Sequence, residues 1–576
     1  MGSDSLKKRI RVARKQVPAD TVLKGCRLIN VFSGDIQPAD VAIADGYVAG
    51  VGEGYHGHQE FDLEGRWVAP GLIDGHMHIE STMMLPSRLA PALLARGTTA
   101  VISDPHEITN VMGIEGIRLM MRDSDSIPLD FFFMAPSCVP STALETSGAK
   151  LEAADMASIK EEPRVLGLAE VMNYPGVLEG DEEVLQKLLL FEDEIIDGHA
   201  PGLRGEGLQG YVTAGIRSDH ETFDPREGLE KLQSGMVVMI REGSTAKNLD
   251  SLLPLVTGAN SRRFCLVSDD VHPSDLLRRG HVDHILRRAI ALGLDPVTAV
   301  QMATLNPAEH FRLRDRGAVA PGFRADIVVI EDLEDFRVEK VFKDGRLVAE
   351  GGTALWNPGP ALQGFETGKL NVAEDLSPRD FRIRIQGRKA RVIEIVPNQI
   401  LTNVSVEGVK EQDGWAVPDV ERDILKLAVV ERHRGTGRIG LGMVRGFGLD
   451  SGAISSSVSH DSHNIIALGT NDQDIYRAVR EVKEMGGGIA VVQDQRILAK
   501  VELEVGGLMS RQPLPSLVEK LDRVKREAMS LGCKLEDPVM VLSFLALPVI
   551  PKLKLTDLGL VDVEEFRLVP LFVKDA

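Results

Sequence analysis

A chain of 576 residues is too long for one buried core, so length alone implies several domains. Its apolar content of 43% and charged content of 26% are those of a water-soluble globular protein. A net charge of −19 argues against nucleic acid as a partner, which needs a basic surface, and favours a small neutral or weakly charged substrate.

Residues 1–20 form a basic extension without the apolar core of a signal peptide, and no segment is apolar for long enough to span a bilayer. Residues 21–69 carry short strand patterns around Leu28–Phe32, Val41–Ile43 and Tyr47–Val51, punctuated by Gly and Asp turns. The same pattern returns at Ala325–Ile330 and Val338–Phe342. Residues 21–69 and 321–355 are therefore expected to build one small β-sandwich from both flanks of a central block. That block, residues 70–320, has the usual size of a (β/α)8 barrel, about 250 residues.

Within it, apolar strand-like runs alternate with helical patterns. The expected barrel strands are Gly71–Asp74, Thr99–Ser103, Phe131–Met134, Val165–Glu170, Glu194–His199, Ala214–Ile216, Met236–Ile240 and Phe264–Ser268. Residues 356–375 bear Pro and Gly and read as a linker. Residues 376–576 carry their own pattern, with a helix at Ile475–Met485 and a strand at Ile489–Val492, and predict a separate C-terminal α+β domain. Cys26, Cys138, Cys265 and Cys533 are scattered, as reduced structural thiols of a cytoplasmic protein would be.

The chemistry is expected at the C-terminal ends of the barrel strands. His76 and His78 stand two apart at the end of the first run, so both imidazoles can share one face and one metal ion. An isolated H-x-H is equally well a pair of surface histidines. The later strand ends decide the matter, because they supply Asp104 and His106, Glu170, His199, His220 and Asp269 in turn. Four histidines and two carboxylates suit two divalent cations about 3.5–4 Å apart. Asp104 and His106 have two open readings: orienting substrate and moving protons, or holding a ligand imidazole in one tautomer. Glu221 reads as structural; Arg241-Glu242 after the seventh strand could touch a substrate edge, but reads better as a solvated loop pair.

These residues resemble the amidohydrolase superfamily, in which H-x-H follows the first strand, histidines follow the fifth and sixth, and Asp follows the eighth. Pro70-Gly71-Leu72-Ile73-Asp74-Gly75-His76-Met77-His78-Ile79-Glu80-Ser81 is similar to the bacterial and archaeal adenine deaminases. So are Asp104-Pro105-His106-Glu107, Ala169-Glu170-Val171-Met172-Asn173, Asp197-Gly198-His199-Ala200-Pro201-Gly202 and Ser268-Asp269-Asp270. The resemblance covers nearly the whole chain. It implies hydrolytic deamination of adenine to hypoxanthine and ammonia, a purine-salvage reaction in which a hydroxide between two metals attacks C6. Manganese or ferrous iron is favoured, and zinc is compatible with the ligands.

The resemblance also implies roles. His76, His78, Glu170, His199, His220 and Asp269 would be metal ligands, with Glu170 bridging and able to protonate the ring, and Asp269 moving the proton of the attacking water. Mononuclear deaminases of the superfamily carry H-x-x-E after the fifth strand; here Gly202 stands in place of that acid. The rival chemistry is another binuclear amidohydrolase, acting on a cyclic amide or a related purine; a non-catalytic scaffold would have lost these ligands. A small-molecule purine substrate and a homodimer are the expected partners.

Two C-terminal motifs remain. Gly435-Thr436-Gly437-Arg438-Ile439-Gly440 matches G-x-G-x-x-G but precedes a strand-like run, so it is read as turns and not as a nucleotide site. Ser459-His460-Asp461-Ser462-His463-Asn464 could line a cleft, bind a further metal or form a capped loop, and His460 is a candidate substrate contact in a lid over the barrel mouth.

Overall fold

A computed structural model of the protein describes residues 2–359, 368, 370–397 and 399–573. Part of the 356–375 segment thus lies outside the described residues. Segments from both ends of the central block share one nine-stranded sheet, joined where Trp67–Pro70 pairs antiparallel with Ile327–Asp332. Period-two alternation buries both faces of this sheet: Val41 and Ile43 enter one core, Ala42 and Ala44 the other. The basic N-terminal segment contains the helix Ser3–Ala13, which reading by charge alone does not give. It is held by the buried Val12, by Lys8 on Asp20 and Asp45, and by Arg9 over the Tyr47 ring at 4.4 Å.

The barrel has eight parallel strands. Leu72–Met77, Thr98–Ser103, Asp130–Ala135, Val165–Val171 and Ile195–Gly198 form one run. Ser218–Asp219, Val237–Arg241 and Phe264–Val267 form the other. Arg217 N–H donates to Ile196 O at 3.1 Å on one side, and Asp269 N–H donates to His76 O at 3.0 Å on the other, so the two runs meet at both edges. Alternate residues fill the interior, among them Ile73, Ile102, Phe132, Met134, Met239 and Cys265. Their neighbours Leu72, Val101, Phe131, Phe133, Val238 and Leu266 face the surrounding helices.

The sixth strand corrects the sequence reading. The apolar run Ala214–Ile216 ends a helix, Gly205–Thr213, and Gly215 takes a φ of +99° to turn the chain. The strand itself is the polar pair Ser218–Asp219, whose side chains hold the neighbouring strand end: Ser218 Oγ donates to Asp197 at 2.5 Å, and Asp219 accepts from Ala200 N at 2.9 Å. An apolarity criterion passes over a strand whose side chains are committed to hydrogen bonds.

The C-terminal region centres on a second nine-stranded sheet, with the helix Asp472–Glu484 on one face. Asn471 caps that helix by accepting from Asp474 N at 2.8 Å, and Ile475, Ala478, Val479 and Val482 pack on Ala428, Val430, Ala467 and Val492. Gly435–Gly440 leads into the strand Ile439–Arg445, and no helix opens there. The C-terminal region packs on the barrel in a shared core, with three bonds among those that fix the contact. Thr146 N donates to Asp557 at 2.8 Å, Asn464 Nδ2 to Thr146 O at 2.8 Å, and Ser510 N to Met83 O at 2.8 Å. No helix among the described residues is long and apolar enough to cross a membrane.

Candidate active site

The parallel strands bring the expected residues to one end of the barrel. His76 lies in the first strand and His78 just beyond it; Asp104 and His106 follow the second; Glu170 sits in the fourth. His199, His220 and Asp269 follow the fifth, sixth and eighth. All are buried except His199, which is half-buried. The barrel interior therefore carries a cluster of imidazoles around two carboxylates.

Each carboxylate divides its oxygens. Glu170 Oε2 lies 2.7 Å from His199 Nδ1 and 3.1 Å from His220 Nε2. Its Oε1 turns to His78 Nε2 at 3.6 Å and His106 Nδ1 at 3.4 Å. Asp269 Oδ1 faces His78 Nε2 at 3.2 Å and His76 Nε2 at 3.5 Å, while Oδ2 accepts from Arg241 Nη1 at 2.5 Å. Asp269 reaches this position with a φ of +59°, a left-handed backbone conformation uncommon outside glycine.

The surrounding bonds orient the rings. His78 Nδ1 lies 3.1 Å from Asp104 O, which leaves Nε2 turned toward the carboxylates. Tyr211 Oη accepts from His199 N and donates to Val171 O, fixing the loop after the fifth strand. Asp74 accepts from Ser268 N at 3.1 Å and faces His281 Nε2 at 2.9 Å, tying the first strand to the eighth.

Charge balance makes the cluster suited to cations. Burial opposes ionisation of Glu170, yet His199 and His220 hold its carboxyl well below the usual range. Burial likewise opposes Asp269, and Arg241, His76 and His78 hold it low. Against the same penalty, Asp269 and Asp270 raise His78 well above its usual value, and Glu221 and Glu170 bring His199 to about 9. Without a metal, protons on imidazole neutralise the carboxylates; divalent cations would take over that charge and leave neutral imidazole ligands. Four overlapping groups have the spacing to hold ions: His76, His78 and Asp269; His76, Glu170 and His220; His78, Asp104, His106 and Glu170; and His199, His220 and Glu221. The buried Nε2 of His76 has no hydrogen-bond partner among the described residues, as a ligand atom aimed at an ion would not.

Asp104 and His106 lie together, with Asp104 Oδ2 3.2 Å from His106 Nδ1. Burial opposes protonation of His106, but Asp104 and Asp461 raise its pKa well above the usual imidazole value. His460 reaches the same region from the C-terminal sheet and stacks on Phe544 with centroids 4.5 Å apart.

Two readings are corrected. Arg241-Glu242 is not a solvated pair: Arg241 is 2% exposed and bridges Glu221 and Asp269, and Glu242 pairs with Arg288 at 2.8 Å. Glu221 belongs to the site as well as to the scaffold, since its Oε1 lies 3.7 Å from His220 and its other oxygen accepts from Arg241 Nη2 at 2.8 Å. Both stand at strand ends, so the rule that selected Glu170 and Asp269 could have found them. Glu107 and Asp270 were also passed over, each lying one residue beyond a selected one. Ser81 links them, its Oγ 3.4 Å from Glu107 and 2.5 Å from Asp270.

Comparison with known proteins gives the same constellation a context. Residues 67–348 match the Amidohydrolase family, and residues 399–567 match the adenine deaminase C-terminal domain. The adenine deaminase of Desulfatibacillum aliphaticivorans is 50% identical over 565 residues, spanning 98% of this chain and 99% of that protein. This chain belongs to the adenine deaminase family. The family's two matched parts are the barrel with its flanking strands and the C-terminal sheet. Further members from Dehalococcoides mccartyi strain 195 and Geobacillus kaustophilus are 48% identical over 566 residues and 46% over 573, each spanning 98% of this chain and 99% of the relative.

Proposed function

We propose that this chain hydrolyses adenine to hypoxanthine and ammonia, a purine-salvage reaction, with two divalent cations per subunit held by His76, His78, Glu170, His199, His220 and Asp269. The observation that carries this reading is the division of Glu170, whose two oxygens face separate histidine pairs, as a carboxylate shared by two cations requires. Manganese or ferrous iron fits the mixed imidazole and carboxylate set, and zinc is also compatible. When bound, such cations make hydroxide available near neutral pH and act as Lewis acids.

The protein's own groups supply the proton transfers. Asp269 Oδ1 receives a proton from the attacking water and delivers it to the departing amine, while Arg241 keeps Oδ2 occupied and the carboxylate oriented. Attack at C6 places negative charge on the ring, and the proton that water sheds in becoming hydroxide passes to a ring nitrogen through Glu170, which offsets that charge. Asp104 and His106 guide the amine and relay protons, a task that falls to them because Gly202 replaces the acid used by mononuclear deaminases. The charge of −19 and four free cysteines favour a cytoplasmic enzyme, which we propose to be a homodimer.

Elemental analysis paired with an adenine assay tests the reading. About two cations per chain and stoichiometric hypoxanthine and ammonia are expected. Metal-loaded protein that leaves adenine unchanged while hydrolysing a cyclic amide would refute it.

A further inference from the structure

Among the buried polar atoms at the metal-ligating cluster that have no hydrogen-bond partner among the described residues are Glu107 Oε2 and His463 Nε2, which lie 3.7 Å apart. Glu107 is 1% exposed and His463 0%. Unsatisfied buried groups are costly, and they persist where a ligand completes them.

Their hydrogen-bonding characters differ. His463 Nδ1 accepts from Ser459 N–H at 3.1 Å, so the neutral ring carries its proton on Nε2 and can only donate there. Burial, opposed by Glu107 and reinforced by His460 and Arg432, keeps this ring well below the usual imidazole pKa. Glu107 is held at its other oxygen, Oε1, by His460 Nδ1 at 3.2 Å and Ser81 Oγ at 3.4 Å. Glu107, His460 and His463 have the spacing of a cation site. The proton on Nε2 rules His463 out as a ligand. What remains is an acceptor and a donor 3.7 Å apart, too far for a full hydrogen bond to each other.

We propose that Glu107 and His463 read the N9–H and N3 edge of a free purine base, so that the site takes adenine and rejects its N9-substituted forms. The assignment rests on the proposed adenine reaction. In a free purine N9–H donates while N3 accepts, the complement of Glu107 Oε2 and His463 Nε2–H. An N9 substituent removes the donor and sets carbon against a buried carboxylate. The position suits this task. Glu107 adjoins His106, whose Nδ1 lies 3.4 Å from Glu170. Its partners Ser81 and His460 line a cavity of about 810 Å³ between the barrel and the C-terminal sheet. The pair thus adjoins the residues around the cation ligands on one side and, through Ser81 and His460, that cavity on the other. Sites that leave buried polar groups unpaired with the wrong ligand discriminate strongly.

Calorimetric titration of the metal-loaded full chain with hypoxanthine and 9-methylhypoxanthine tests the proposal without turnover. The wild type is expected to bind hypoxanthine at least tenfold more tightly. In Glu107→Gln, the amide oxygen stays on His460 and the NH2 meets N9–H, donor against donor. Discrimination should then fall at least tenfold, with metal content unchanged. Wild type that binds both ligands equally, or neither, overturns the proposal whatever the variant does. A variant that folds and weakens both ligands by the same factor overturns it too. Selective hypoxanthine binding by metal-loaded protein inactive on adenine would overturn the proposed reaction while upholding this assignment.

Discussion

At the scale of single residues, Glu170 and Asp269 are distinguished by where their second oxygens go. Glu170 spends both on histidines, whereas Asp269 gives one to Arg241 and keeps one for His76 and His78. Glu170→Gln removes the anionic pair of oxygens, so binding of the second cation should fail. Elemental analysis should show metal content dropping by about one ion per chain, with turnover lower by on the order of 10² to 10³. Undiminished metal would refute the bridging role. Arg241→Lys tests the orienting role of the guanidinium, because a point charge cannot serve Glu221 and Asp269 together. Both cations should be retained while kcat falls roughly 10–100-fold, the usual cost of losing a ligand's supporting partner. The ligand set was legible in the sequence because each member follows a strand at a spacing that fixes its direction. Arg241 stands at a strand end as they do, but an Arg beside a Glu reads as a solvated pair, and the fold adds the buried Glu221 and Asp269 on either side.

At the scale of elements, seven barrel strands stand within a few residues of their apolar runs, since interior and helix-facing residues are both buried and the run is continuous. The sixth strand escaped because Ser218 and Asp219 trade apolarity for bonds to Asp197 and Ala200. A second polar exception lies in the strand Leu553–Thr556, where the ammonium of Lys554 is fully buried and, among the described residues, meets only the carbonyls of Ile400 and Phe544, each at 2.9 Å. Burial lowers its pKa from 10.5 to about 7. Below pH 7 the ammonium persists in both folded and unfolded chains, and the folded state carries the whole desolvation cost. Between about pH 7 and 10.5 the unfolded chain binds the proton and the folded chain does not, so this contribution to stability rises with pH. Lys554→Met loses two hydrogen bonds at every pH but also removes that cost. Its melting temperature relative to wild type should therefore be most favourable near neutrality and decline toward pH 10. A difference constant with pH would refute the buried ammonium.

At the scale of the whole molecule, the C-terminal sheet completes the site from above, bringing His460, Asp461 and His463 against the second-strand residues His106 and Glu107. The loop after the third barrel strand is part of the same junction: Thr146 bonds Asp557, and Leu144 O accepts from Thr556 Oγ1 at 2.6 Å. Sequence motifs indicated that Ser459–Asn464 belongs near the barrel mouth, but they could not reveal its counterpart. The fold supplies it in Glu145, from the Thr146 loop. Burial, with Asp461 and Asp557 nearby, raises the Glu145 carboxyl from 4.5 to about 8, against the lowering effect of Ser141 and Ser462. At neutral pH this group is protonated in the folded protein and ionised in the unfolded chain. Between about pH 4.5 and 8 the folded state holds the extra proton, so its contribution to stability falls as pH rises. Each unit of difference corresponds to about 1.4 kcal/mol. Above pH 8 both states are ionised, and the folded state bears a carboxylate facing Asp461 across the junction. Glu145→Gln keeps the acceptor for Ser141 Oγ, 2.9 Å away in the wild type, and abolishes the titration. The variant's gain in melting temperature over wild type should be small at pH 5, increase through pH 7 and level off above pH 8. Scans of both proteins at matched metal loading measure it. A gain that is absent at pH 9, or already complete at pH 5, would mean that Glu145 is ionised in the folded protein and that the barrel and C-terminal sheet tolerate a like-charge pair where they meet.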